Sequence, residues 1–388
     1  MPNFKRGMMA AAGAAGDLKE LWMWGDGVAG VQGRGPANGD PNTTDFSSPV
    51  QVGSLTDWAQ VGMGKNKTHA VKTDSTLWGW GKGADGGIGI GSTVSVYSPV
   101  QIGSLTNWLQ VAACPSSYST AAIKTDGTLW TWGNNVRGQL GHGGTTNVSS
   151  PVQVGSLTNW KEVRWGSQNV RAITTDNKLF TWGDSRAGRL GEGVVAGPGD
   201  AGGGISSPVQ VGSLTNWAQV ATGGNEEGGA IKTDGTLWMW GENGEGQLGQ
   251  GNTTDRHSPV QVGSATNWSQ VSLGPGGALA VTTAGTLWAW GSGYGGWQGQ
   301  GDSTSRSTAT QVGSLTNWQY IHRNFGASRI SIAVKTDGTL WTWGKNSYGA
   351  AGHGNTTASS SPIQVGSDTN WTTKPFGGDN TMGAFKTA

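Results

Sequence analysis

LWGWG (Leu77–Gly81), SPVQIG (Ser98–Gly103), SLTNW (Ser104–Trp108) and AIKTDG (Ala122–Gly127) decide the fold, because these four strings recur along the chain in the same order. The first returns at Leu21–Gly25, Leu129–Gly133, Leu237–Gly241, Leu287–Gly291 and Leu340–Gly344, and a further copy, Leu179–Gly183, has Phe180 in place of the first tryptophan. Its second tryptophans are Trp24, Trp80, Trp132, Trp182, Trp240, Trp290 and Trp343, spaced by 56, 52, 50, 58, 50 and 53 residues. Self-similarity at such a period marks an array of equal supersecondary units. Seven repeats of three tryptophans, less one for Phe180, leave only Trp165 and Trp297 of the 22 in the chain without a repeat position.

Each string suits a short strand. Trp78 and Trp80 are two apart and so share one face of a sheet, as do Val50 and Val52. Val, Ile, Thr and Trp fill the strings, and Gly, Pro, Ser and Asn bound them. Trp58 and Val61 are three apart and would face opposite sides of a plain strand, so a bulge or a turn is expected there. Four strands per repeat predict a propeller blade, with tryptophans packed between neighbouring blades as the core. The last segment, Gly383-Ala384-Phe385-Lys386-Thr387, matches the AIKT strand and then stops, whereas the first strand is LWMWG at Leu21. Each end supplies what the other lacks. The expectation is an all-β chain, a seven-bladed β-propeller closed by pairing of its N- and C-terminal strands, with residues 1–17 as an N-terminal arm and 18–388 as the propeller. The AIKT strand is expected innermost, because alanine fits a crowded axis.

Adjacent strands run in opposite directions, so the connections divide between two faces. The AIKT-to-LW turn and the GSLT turn are nearly the same in every repeat. The opposite face varies. From WG to SP the chain runs 17 residues in most repeats, but 23 from Gly25 to Ser48 and 24 from Gly183 to Ser207. Both surplus tryptophans map to this variable face. Aromatic residues and arginine are favoured interface anchors, so Trp165, Arg186, Arg189, Tyr294, Trp297 and Tyr348 form the candidate partner-binding set. The alternative is that they plug gaps among glycine-rich loops.

Composition narrows the function. Twenty-five Lys and Arg against 24 Asp and Glu give a formal charge of +1, which gives no reason to expect nucleic acid as the partner. One cysteine, Cys114, excludes an intrachain disulfide and a multi-cysteine zinc site. No run of 18 apolar residues predicts membrane insertion. His142 and His353 share a repeat position on blades far apart, so they cannot chelate one metal. Asp74, Asp126, Asp176, Asp234 and Asp337 sit in Asp-Gly-like turns, with Ala284 in the odd repeat, and read as hairpin residues. Neither a nucleophile–base pair nor a phosphate loop is found. No catalytic residue, metal or cofactor is expected.

WGNNVRGQLGHG (Trp132–Gly143) and WGENGEGQLGQG (Trp240–Gly251) resemble the regulator-of-chromosome-condensation repeat, and the likeness extends over residues 18–388. The resemblance implies the propeller and a structural role for His69. It implies no single activity, since one fold carries many functions. The founding member acts on a Ran-type GTPase through acidic loops and on nucleosomes through basic ones, and no comparable charged cluster is read here. A plant ultraviolet receptor of this fold uses GWRHT motifs, which are absent, and a bacterial β-lactamase inhibitor of the fold binds through loops on one face. The start, NFKRGMMAAAGAAG, followed by unusually uniform repeats, resembles bacteriophage-encoded members. It reads as an arm rather than as a cleaved leader. The resulting expectation is a non-enzymatic scaffold, a bacteriophage structural or attachment protein of capsid or tail, located in the virion and docked through the arm. The alternative is a soluble bacterial propeller that binds or inhibits a protein. On either reading the partners are other proteins, of a virion or a cell surface.

Overall fold

A computed structural model of the chain describes residues 19–35, 45–193, 203–221, 224, 226–323, 329–378 and 380–387. The N-terminal arm expected over residues 1–17 lies outside the described residues, as do residues 194–202 of the long run from Gly183 to Ser207.

Locally, each LWxWG string is a strand, and in six of the blades the turn before it folds it back onto the AIKT strand. In Lys124–Thr128 the Gly127 N–H donates to Lys124 O at 2.9 Å, and the Lys124 N–H donates to Thr128 O at 3.0 Å. Gly127 sits at φ +76, the left-handed position that follows a type I turn in a three-residue hairpin. The Asp126 carboxylate accepts from the Thr128 N–H at 3.0 Å and from its hydroxyl at 2.6 Å. The Thr128 hydroxyl in turn accepts from the Trp130 indole N–H at 2.8 Å. Asp74, Asp234 and Asp337 repeat this relay in their own blades. These aspartates are therefore turn residues, as their Asp-Gly setting predicts.

Blade one consists of the strands Trp58–Gly64, Lys67–Lys72, Leu77–Gly81 and Val96–Gln101, hydrogen-bonded in that order. The register slips between Trp58 and Gln60, which is the bulge that lets Trp58 and Val61 serve one core. Blades two to six repeat the pattern, starting at Trp108, Trp160, Trp217, Trp268 and Trp318. Blade seven joins Phe376–Gly377 and Thr381–Thr387 to Lys19–Gly25 and Phe46–Gln51. Lys19 pairs with Thr387 and Gly25 with Thr381. Two strands from each end thus close a ring of seven four-stranded sheets.

One expectation is corrected. The innermost strand is the one that starts at the NW tryptophan, and the AIKT strand lies second. Adjacent inner strands touch around the ring, because the chain enters each blade at the axis and can only begin at a sheet edge. The alanines have another cause. Ala70, Ala122, Ala230, Ala280, Ala333 and Ala384 lie directly across from the first tryptophan of the neighbouring strand, where a small side chain leaves room for the indole.

The core lies between blades. Val71 and Leu77 of blade one pack with Trp108, Val111 and Trp132 of blade two, and the other boundaries are alike. Seven indole N–H groups staple them. Trp80 donates to Val31 O at 2.8 Å, Trp132 to Gly87 O at 3.2 Å, Trp182 to Gln139 O at 2.9 Å and Trp240 to Arg189 O at 2.9 Å. Trp290 donates to Gln247 O at 2.9 Å, Trp343 to Trp297 O at 2.6 Å and Trp24 to Ala350 O at 2.9 Å, the last of these closing the ring. The glycine two residues beyond each acceptor must be glycine. At Gly141, with φ +77, a Cβ would stand 2.9 Å from Trp182 Nε1, inside contact distance and in a backbone region strained for other residues.

The inner edge is also satisfied. Gln60 donates its amide to Val111 O at 2.7 Å and accepts the Val111 N–H at 2.6 Å. Gln110 does the same at Val163, and Gln270 accepts from the Ile321 N–H at 2.8 Å. In blades one, two and five a glutamine therefore caps the free edge of the next blade's inner strand, and in blade three Glu162 accepts the Val220 N–H at 3.3 Å in its place, answering the unpaired backbone that an edge strand presents.

Candidate functional site

The strand order sends two connections of each blade to one face: the loop after the inner strand and the loop after LWxWG. On this loop face the second connection folds as WGxNxxGQLGxG. In blade two the Asn135 amide donates to Gly144 O and Thr146 O at 3.0 Å, and its carbonyl accepts from the Leu140 N–H at 2.9 Å. Asn243 and Asn346 hold their loops alike. The asparagine fixes the loop backbone, so the residues between it and the glutamine are free to differ.

The six candidate residues divide by depth. Tyr294 and Tyr348 stand out, 56% and 45% exposed, on neighbouring blades five and six. The Tyr294 ring lies 4.9 Å from the Arg329 guanidinium and 5.6 Å from Lys345 Nζ. Arg186 is half-exposed on blade three and pairs with the buried Asp184, its Nε donating at 2.9 Å. The two charges stabilise one another, so Asp184 is held below the usual carboxylate range although burial opposes this. The other three face inward. Trp165, 3% exposed, donates its indole N–H to Ala112 O of blade two at 2.9 Å. Trp297 is fully buried, with the Arg323 guanidinium 3.2 Å above its ring. Arg189 is buried between Asp184 (3.1 Å) and Glu226 of blade four (3.0 Å). The structure thus brings Tyr294, Trp297 and Tyr348 to adjoining blades and sets Trp165, Arg186 and Arg189 on blade three, with blade four between the groups.

The fold also assembles groups that the sequence did not announce. Lys65 and Lys82 of blade one flank the Tyr118 ring of blade two at 5.4 and 5.6 Å, which matches the Tyr294 arrangement. Blade four gathers Glu226, Glu242, Glu245 and Asp255, and burial together with its acidic neighbours raises the Glu242 pKa. The loop face is therefore patterned in charge, where the sequence showed no cluster. A partial signal was present for Tyr118, since its loop is one of the longer ones. The cations come from the neighbouring blade, which linear order does not reveal.

On the opposite turn face Leu55, Leu105, Leu157, Leu214 and Leu315 occupy one repeat position and are all exposed. His69 is fully buried, 3.1 Å from Ile88 O and edge-on to Trp132. Burial lowers its pKa to about 3, so it packs as a neutral ring. Among the described residues no group of three or more His, Cys, Asp or Glu could hold a metal ion, and no helix is long and apolar enough to cross a membrane.

A family model of the regulator of chromosome condensation (RCC1) repeat matches residues 74–122, 126–173, 234–281 and 337–383, and a second model of that repeat matches 109–139. Among curated proteins, the chain is 28% identical over 246 residues to the ultraviolet-B receptor UVR8 of Arabidopsis thaliana, covering 63% of this chain and 53% of that one. It is 27% identical over 265 residues to the mitochondrial RCC1 domain-containing protein RUG3 of the same plant, covering 67% and 58%. The human E3 ubiquitin-protein ligase HERC2 is 29% identical over 250 residues, 63% of this chain and 5% of that protein. The chain spans a little over half the length of the first two relatives. Among solved structures, human WBSCR16 superposes with a TM-score of 0.81 at 20% identity over 95% of this chain and 99% of that one. Prp20p of Saccharomyces cerevisiae superposes at 0.80 with 17% identity over 96% and 92%. These likenesses establish the fold.

Proposed function

Because this chain belongs to the regulator of chromosome condensation repeat family, we propose that it is a non-catalytic scaffold that captures another protein on its loop face. One observation carries the reading. The turns of one face are near-copies from repeat to repeat, whereas the other face differs from blade to blade and presents the exposed Tyr294 and the half-buried Tyr118, each beside a pair of cations, with an acidic sector on blade four. Exposed aromatics ringed by charge are what interface centres use. Relatives of this fold give precedent: Prp20p binds Gsp1p and histones, and yeast RCC1 has been solved bound to Kap60. The expectation of a virion protein rests on the arm, which lies outside the described residues, and the comparisons do not point to it. A soluble binding or inhibitory propeller is the better-supported form.

The test replaces Tyr294, Tyr348 and Arg186 with Ala together. Tyr294 and Tyr348 are solvent-facing, and Asp184 keeps its pair with Arg189 when Arg186 is lost, so the melting temperature should fall by no more than about 5 °C. Affinity for the partner isolated from the native host should fall at least about tenfold. If the triple variant keeps its partner and Leu105→Ser with Leu157→Ser loses it, the turn face binds and the proposal fails.

A further inference from the structure

The inner strands are near-copies except at one level of the axial channel. The residues two and four beyond the strand's first tryptophan are Gln60 and Gly62, Gln110 and Ala112, Gln219 and Ala221, and Gln270 and Ser272 in blades one, two, four and five. All are neutral. Blade three instead has Glu162 and Arg164, blade six has Tyr320 and His322, and blade seven has Lys374 between Thr373 and Pro375.

These departures converge. Arg164 Nη2 lies 3.0 Å from Glu162 Oε1, and its Nη1 donates to Val163 O at 2.9 Å. Blades three and four lie across the ring from blade seven, yet Lys374 reaches them. With the Gln219 amide turned so that its nitrogen donates to Ser269 O at 3.2 Å, its oxygen accepts from Lys374 Nζ at 3.3 Å. Lys374 also feels the charges of Arg164 and Glu162, and Arg164 acts on His322. Lys374 is solvent-accessible although protein surrounds it, as expected for a side chain in a wet axial channel. The hydroxyls of Thr372 and Thr373 are buried with no hydrogen-bond partner among the described residues, and the buried His322 ring lies against the Gly377 backbone. Orphaned polar atoms are rare in folded proteins and ask for an occupant.

We propose that this level of the channel, between Arg164, His322, Thr373 and Lys374, binds a small proton-bearing oxyanion, with inorganic phosphate as the simplest member. Two cations face one carboxylate, so an anion restores the balance. The Lys374 ammonium and the Arg164 guanidinium donate to its oxygens, and such charge-assisted bonds are strong away from bulk water. The imidazole and the threonine hydroxyls can each donate or accept. Dihydrogenphosphate matches both that mixture and the single net positive charge, having bare oxygens and P–OH groups. Sulfate has no proton to offer. The site is independent of the loop face and does not rest on the scaffold reading.

Isothermal titration calorimetry of the full chain with sodium phosphate at low chloride should show saturable one-site binding, with a matching rise in melting temperature. Sulfate should bind at least about tenfold more weakly. Lys374→Gln should weaken phosphate by at least about tenfold, while Lys178→Gln at an exposed turn should leave it unchanged. His322→Gln gives a second reading should Lys374→Gln fold poorly, with the same loss expected. No saturable signal up to about 10 mM phosphate, equal binding of sulfate, or undiminished binding by the channel variants would overturn the site. Phosphoserine binding more tightly than phosphate would overturn the free ion as its occupant.

Discussion

Glu227 shows how far a residue's chemistry is set by where it lies. It opens the second strand of blade four and is buried, with Oε2 accepting the Glu226 N–H at 3.0 Å and Oε1 without a partner among the described residues. Burial raises its pKa to about 7, against the pull of Arg323 and Arg171. The unfolded value is roughly 4.3. A carboxyl raised in this way adds stability that is complete below the unfolded value and is lost as pH rises through the folded one. Glu227→Gln cannot ionise, so the stability of the natural chain relative to the variant should fall by on the order of 2–3 kcal/mol between pH 5 and pH 8. Urea unfolding across that range checks this, and a constant difference would refute the assignment. Nothing in the string NEEGGAIK marks one glutamate as buried and its neighbour as part-exposed. Likewise Trp165 and Trp297 were legible as surplus tryptophans on the variable side, but not as buried ones, because their depth depends on the adjoining blade.

At the scale of the element, strand identity was written in the repeats and strand position was not. The bulge after Trp58 followed from a three-residue spacing between two core side chains. The order across the sheet followed from where the chain enters a blade, a property of the ring. The glutamine ladder belongs here too. Its members recur two residues after the NW tryptophan, but their role needs a neighbouring edge to act on. Gln60→Leu keeps most of the volume and leaves the Val111 N–H and C=O without their partner, so it should cost roughly 1–3 kcal/mol. Hydrogen exchange should show the Val111 amide opening faster while amides in blades four and five stay protected. Unchanged protection at Val111 would mean that water caps that edge equally well.

For the whole molecule, closure is the decisive event. Seven residues at each end pair in register from Lys19 with Thr387 to Gly25 with Thr381, and Met382, Ala384 and Phe385 fill the boundary with buried side chains. Deleting residues 381–388 strips the partner from Lys19–Gly25 and exposes an edge on each side of the gap. The truncated chain should melt at least about 10 °C lower and with reduced cooperativity in calorimetry. A melting curve like that of the full chain would show that the ring does not depend on this join.

The sequence by itself determined the number of blades, their four strands, the tight turns and the stitching of the two ends. Those features rest on local rules, side-chain alternation and hydrophobic repetition, which a linear string records directly. Tertiary structure alone decided which strand meets the axis, which tryptophans face inward, and which charges meet across a blade boundary or across the channel. Those outcomes depend on distances between residues some 50 to 350 positions apart, as with the Trp80–Val31 and Trp24–Ala350 hydrogen bonds, and only closure of the ring sets them.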